Sequence, residues 1–176
     1  MIARHPMALI PLAFAALASC TDTGTGPSPD QFILATDQPS YVATSSGSTG
    51  ERRQYRFTLV ARFTNNAEST VYLSRCQPDS PHPIFGVNAV EGTDGAAYDG
   101  PWGCPGHDRH IAVRPGETRV DTLELTGPIG FSGDRPLGTL TGPMRLVYDV
   151  QGCPSDDACP IAGAGASNVF TVAVQP

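Results

Sequence analysis

The sequence predicts an all-β fold, an antiparallel sandwich of two sheets, on three observations. Apolar and polar residues alternate with period two from Phe32 onward, the chain carries nineteen glycines and seventeen prolines, most of them between those segments, and no stretch carries a ten-residue amphipathic helix. The clearest strand spans 55–65: Tyr55, Phe57, Leu59, Ala61 and Phe63 fall on one face, Arg56, Thr58, Arg62 and Thr64 on the other, and Asn65-Asn66 ends it. In chain order, the remaining strands are expected at 31–35, 40–44, 71–75, 84–90, 111–114, 118–125, 144–150 and 168–174. In 144–150, Met144, Leu146, Tyr148 and Val150 share a face opposite Arg145 and Asp149. Turns are expected at 45–50, Pro115-Gly116, 127–138 and 162–166, where Gly, Pro and Ser interrupt the pattern. Seven to nine short strands of this kind suit two packed sheets.

The first residues carry an address. Arg4 and His5 give a short basic start, and residues 7–17 are apolar but shorter than the roughly 20 residues of a membrane-crossing helix, so residues 1–19 read as an export signal. Its end, Leu17-Ala18-Ser19-Cys20, resembles the lipobox of bacterial lipoproteins. The resemblance implies diacylglycerol on Cys20, cleavage between Ser19 and Cys20, and a further acyl chain on the new amino terminus. At ~0.8 kcal/mol per buried methylene, two or three chains hold a membrane stably where one does not. Thr21, where Asp would favour inner-membrane retention, implies outer-membrane placement if the host has one. Two blander readings compete: an ordinary secretory signal whose cysteine falls there by chance, and a core helix, which Pro6, Pro11 and the lack of a polar face oppose. Residues 20–29 then form the lipidated cysteine and a flexible tether, TDTGTGPSP, with a typical span of ~16 Å. Residues 30–176 form one domain, large enough to bury roughly two-thirds of its unfolded surface.

Composition excludes several chemistries. All eleven basic residues are arginines, and the absence of lysine removes Schiff-base catalysis, P-loop phosphate binding and lysine general bases. Beyond residue 19, ten arginines face seventeen acids, a formal charge of −7 that repels nucleic-acid phosphate and anionic headgroups. Membrane contact is therefore expected through the lipid, with no nucleic-acid partner.

The order of segments resembles bacterial extracytoplasmic immunoglobulin-like domains. The resemblance rests on Tyr55-Arg56-Phe57-Thr58-Leu59 running into Asn65-Asn66, Val71-Tyr72-Leu73, Arg114-Pro115-Gly116-Glu117-Thr118, Gly142-Pro143-Met144-Arg145-Leu146 and Ser167-Asn168-Val169-Phe170-Thr171-Val172. It implies an immunoglobulin-like sandwich used as a binding module or spacer. Met144 stands where such domains carry the tyrosine of a tyrosine corner, and no cysteine pair lies on the strands the inter-sheet bridge would join.

With Cys20 lipidated, Cys76, Cys104, Cys153 and Cys159 remain, an even set for which disulfides are the default in an exported protein. Of three possible pairings we favour Cys76 with Cys104, flanking the excursion 77–103, and Cys153 with Cys159, closing a Pro/Asp-rich loop. Chain entropy assigns these rings roughly 3.5 and 2.4 kcal/mol. The competing use of Cys104 is as a thiolate ligand beside His107 and His110, with His82 and Met144 as distant donors, a set suited to copper or zinc. It would strand Cys76 as a free thiol, and solvent-exposed loop histidines are the simpler expectation. A triad from Asp79, Ser80 and His82 lacks a scaffold, and no Gly-x-Ser-x-Gly elbow exists. Asp156-Asp157 lacks the spaced oxygen ligands of a calcium loop. Tyr98, Pro101 and Trp102 could anchor a partner or cover one end of the core, and Arg52-Arg53 reads as a solvated strand start. The composite expectation is a lipid-anchored module without catalytic activity, cofactor or metal, meeting a protein or glycan through loops 77–110 and 153–159. The runner-up is a copper or zinc electron carrier using Cys104, His107 and His110.

Overall fold

The computed structural model describes residues 31–49, 52–76, 80–91, 96–99, 109–128, 140–153 and 161–175. These residues form eleven strands and no α-helix: β1 Phe32–Thr36, β2 Ser40–Thr49, β3 Arg52–Asn65, β4 Val71–Arg75, β5 Phe85–Ala89, β6 Ala96–Asp99, β7 Arg109–Val113, β8 Thr118–Gly127, β9 Gly142–Gln151, β10 Ile161–Ala166 and β11 Phe170–Gln175. The described residues are all-β, as the alternation predicts.

Three expectations need correction. The sheet is mixed rather than wholly antiparallel, because β11 pairs in parallel with β2. Residues 45–49, expected as a turn, continue β2 through an irregularity between Ser45 and Gly47, where Gly47 takes φ 123°. Residues 162–166, also expected as a turn, belong to β10 and pair with β9. Their Ala/Gly run has low strand propensity and no alternation. Fit to its neighbours decides the matter: a Cβ on buried Gly165 would lie 3.1 Å from Val150 Cγ2 and 3.4 Å from the Phe32 ring, so a small residue lets β10 close in. β6 was likewise not expected from the sequence, and 129–139 of the Gly/Pro-rich stretch lies outside the described residues.

Strand β3 organises the rest. Its fourteen residues span roughly 45 Å at the usual rise per residue, long enough to pair with β1 and then β2 on one edge while β8 lines the other. Strand β9 plays the same part opposite, with β4 and β5 on one edge and β10 and β11 on the other. The pairings run β11-β2-β3-β8-β6-β5-β9, and β9 returns to β11, so the sheet closes on itself, with β7 beyond β4.

Inside this ring, Phe57, Leu59, Ala61 and Phe63 of β3 face Met144, Leu146, Tyr148 and Val150 of β9, all buried. Phe63 and Tyr148, on strands that share no ladder, stack at 6.2 Å, so side chains from opposite walls fill the interior. Edge-on contacts of Tyr41 with Phe170 at 5.2 Å and of Phe57 with Tyr98 at 5.0 Å extend the core. Each such aromatic pair adds roughly 0.5–1.5 kcal/mol beyond its buried area. Where β3 ends, the buried Asn65 amide donates to Ser69 O at 2.8 Å and Val113 O at 2.9 Å, and its Oδ1 accepts from Ala67 N. One side chain thus shapes the turn and ties it to β7.

Candidate functional site

Cys76, just beyond β4, and Cys153, just beyond β9, are each disulfide-bonded. Their expected partners Cys104 and Cys159 lie outside the described residues, as do Cys20, Asp79, Pro101, Trp102, His107 and Asp156-Asp157. His110 is not a loop histidine. It lies on β7 opposite Ser74, half-buried, with its ring edge-on to Tyr72 at 6.4 Å. Met144, imagined as an axial ligand, is fully buried in the apolar core opposite Phe170. No group of three or more His, Cys, Asp or Glu side chains is placed to hold a metal ion among the described residues. Tyr98 is core rather than a surface anchor, fully buried with its hydroxyl donating to Leu140 O at 2.8 Å.

The most developed polar cluster was not anticipated. Asp121 of β8 is a buried carboxylate, 2% exposed, and four donors or potential donors converge on it. Arg119 reaches both oxygens, Nε to Oδ2 at 2.9 Å and Nη2 to Oδ1 at 2.6 Å. Tyr148 donates to Oδ2 at 3.2 Å, and His82 Nδ1 lies 3.3 Å from Oδ1. Arg119 Nη2 also donates to Pro81 O, so the same guanidinium holds the 80–84 segment that carries His82. Burial, then the Asp121 charge, pushes the Tyr148 phenol well above the usual tyrosine range. A signal was present in the sequence: Asp121 occupies an inward position in register with Leu123 and Leu125, where an acid must find partners, and Arg119 precedes it on the same face. What the sequence could not supply was His82 and Tyr148, remote in the chain.

This arrangement orients His82 through a buried acid, the geometry that aims an imidazole at a nucleophile. Ser80 and His82 share no hydrogen bond among the described residues, and the bidentate Arg119 already neutralises Asp121. The cluster reads as an internal brace between β8, β9 and the 80–84 segment.

A second polar cluster marks the corner between β1 and β2. Asp37 Oδ1 accepts the Tyr41 hydroxyl at 2.7 Å and the Val60 N–H at 2.8 Å. Burial raises the Asp37 carboxyl, but the bonds from Tyr41 and Val60 outweigh it and hold the group below its ordinary value. Burial and the Asp37 bond push the Tyr41 phenol up to about 12. A third links Ser74 Oγ to Asp149 Oδ2 at 2.8 Å, with Gln151 Nε2 donating to the same hydroxyl.

No protein-family model and no curated protein matches the chain. Among solved structures it is similar to the CooA pilin subunit from enterotoxigenic Escherichia coli, at 10% identity and a TM-score of 0.26, over 83% of this chain and 99% of that one. A TM-score that low is no evidence of a common fold.

Proposed function

We propose that the chain is a lipid-anchored, extracytoplasmic, immunoglobulin-like module that binds a partner or helps assemble the envelope, without catalysis. The observation that carries this reading is Leu17-Ala18-Ser19-Cys20 at the end of a short apolar run. Oxidised Cys76 and Cys153 are consistent with it, because disulfides persist outside the reducing cytoplasm. The immunoglobulin-like description is supported by the pairing pattern. One layer would hold β1, β3 and β8, the other β11, β9, β10, β4, β5 and β7, with β2 crossing between them by pairing with β3 and β11 and β6 by pairing with β8 and β5.

The proposed bridges join Cys76 with Cys104 and Cys153 with Cys159. The β9–β10 register, Ile161 opposite Gln151, is the one a Cys153–Cys159 link would continue two residues on. The β4–β7 register, Arg75 opposite Arg109, brings together the two chain segments that flank the larger ring. Protein or glycan partners would meet the parts of 77–110 that lie outside β5, β6 and β7, together with 153–159, presented on a rigid strand scaffold. The Asp121 cluster stiffens the base of the first loop through Pro81 and His82.

Mass spectrometry of the membrane fraction tests the anchor. The expected product starts at a diacylglyceryl Cys20, and Cys20→Ala moves the protein to the soluble fraction. An intact leader, or an unmodified Cys20 on a soluble product, would overturn the proposal. A non-reducing map with a protease that cuts before aspartate separates Cys76 from Cys104 at Asp79 and Cys153 from Cys159 at Asp156. Free Cys104 carrying a metal would refute the bridges.

A further inference from the structure

Strand β2 pairs with β3 only from Thr44 onward, Thr44 opposite Arg56, while Ser40 to Thr44 pair with β11 on the other edge, so that Ser40 to Ala43 have no partner on β3. Strand β1 leaves β3 at Thr36, opposite Ala61. Residues 57–60 of β3 are thus without a strand partner on this edge. Asp37 takes up Val60, donating its own N–H to Val60 O at 3.0 Å and accepting the Val60 N–H on its carboxylate at 2.8 Å. Strand alternation turns the Thr58 N–H and C=O toward the same edge, two residues on, where no strand pairs with them. An open cleft of about 820 Å³ lies there. The exposed side chains of Ser40, Thr44 and Thr58 rim it, and Arg56 and Glu124 form an ion pair of 3.6 Å at one side. The buried rings of Tyr41 and Phe57, 5.4 Å apart, make a firm floor.

We propose that this cleft binds a neutral saccharide. Its rim mixes donors and acceptors: three hydroxyls, the Gln38 amide, and a main-chain N–H and C=O left over by the strand crossing. A sugar hydroxyl both donates and accepts, so a polyhydroxyl ligand satisfies such a set where a simple anion or cation does not. Arg56 and Glu124 offset each other, and the Asp37 carboxylate at the far end is already held by Tyr41, Val60 and Gln38, so the rim offers directional bonds with little uncompensated charge to attract an ion. Val42, 55% exposed, lines the same cleft and provides an apolar surface for the C–H face of a pyranose. An added peptide strand fits poorly, because strand addition needs several alternate residues of one edge with free main-chain groups, and on β3 only Thr58 lies between Arg56, paired with Thr44, and Val60, held by Asp37. The proposal rests on the reading of the domain as a binding module and names for it a site apart from residues 77–110 and 153–159, with a ligand class. It does not depend on the lipid at Cys20 or on the disulfide pairing.

The test is an array of neutral, anionic and cationic oligosaccharides, with a set of extended peptides, probed with the full-length protein in detergent. Titration calorimetry with the strongest neutral oligosaccharide follows. Neutral sugars are expected to bind, and Arg56→Ala with Glu124→Ala, or Thr44→Val alone, is expected to weaken binding at least tenfold. Thr118→Ala, elsewhere on the outer face of β8, is expected to leave binding unchanged. All these positions are exposed, and circular dichroism checks that each variant folds. Absence of neutral-sugar binding, binding confined to charged sugars or to peptides, or binding indifferent to the cleft variants would overturn the proposal. With Cys20 shown to be lipidated, a negative array removes the cleft proposal and leaves the anchored module standing. Sugar binding by a protein that lacks the lipid does the reverse.

Discussion

Replacing Asp121 with alanine removes the carboxylate on which Arg119, Tyr148 and His82 converge, and its cost follows from what is left behind. Breaking a buried ion pair by deleting one partner costs roughly 3–5 kcal/mol, because the surviving charge stays out of water. The Arg119 side chain is 24% exposed and regains some hydration, so the low end, about 3 kcal/mol, applies. The Tyr148 hydroxyl, fully buried, loses its acceptor at roughly 1 kcal/mol more. His82 is 37% exposed and turns to water at little cost. The sum is about 4 kcal/mol, read as a midpoint shift in urea unfolding under non-reducing conditions. For a domain of this size it corresponds to a fall in Tm of roughly 8–16 °C. Tyr148→Phe should cost only about 1 kcal/mol, since the ring keeps its stack on Phe63. A double-mutant cycle of Asp121→Ala with Arg119→Ala should show strong coupling, because removing both partners leaves no stranded charge. If Asp121→Ala costs under about 1 kcal/mol, or if the two substitutions simply add, the brace is not what joins β8 to β9.

Gly127→Ala should destabilise by about 1–3 kcal/mol, since an added Cβ would fall 2.5 Å from Ala97 O and 2.6 Å from Tyr98 Cδ1. A thermal melt should show Tm lower by roughly 2–12 °C, and an unchanged melt would refute the close approach of β8 and β6. The corner of Asp37 and Tyr41 predicts pH dependence at both ends. Tyr41 is raised from 10.0 to about 12 on folding, so its contribution is complete below pH 10 and lost as pH rises toward 12. The Asp37 carboxyl is lowered from its ordinary 3.8, so its contribution is complete above that pH and lost as pH falls through the lower folded value. Stability measured across pH should therefore lose part of its alkaline slope in Tyr41→Phe and part of its acid slope in Asp37→Asn. Slopes identical to the parent protein would show that these bonds do not form.

Much of the secondary structure was legible because alternation is a local property. Whether Phe57, Leu59 and Phe63 face inward is written in their spacing, and the same holds for Met144, Leu146, Tyr148 and Val150. The Val71–Arg75 strand has the bounds its residues suggested. Strand β10 was not legible, because alanine and glycine carry no facing signal and become a strand only when Gly165 meets Val150 and Phe32. The strand position of His110 is not legible locally, because the Gly- and Pro-rich residues 100–106 before it carry no alternation and its partner, β4, lies about 35 residues earlier in the chain. Asp121 could have been flagged as an inward acid, but its partners His82 and Tyr148 lie 39 and 27 residues away.

Taken alone, the residues determined which faces are apolar and, through that alternation, the all-β class. Tertiary structure decided which strand edges meet, including the parallel match of β11 with β2, the closure through β9 and the gap at Thr58. The reason is that side chains differ along the chain and announce their faces, whereas main-chain N–H and C=O groups are chemically alike at every residue. Which of them find partners is settled only when distant strands compete for the same edge.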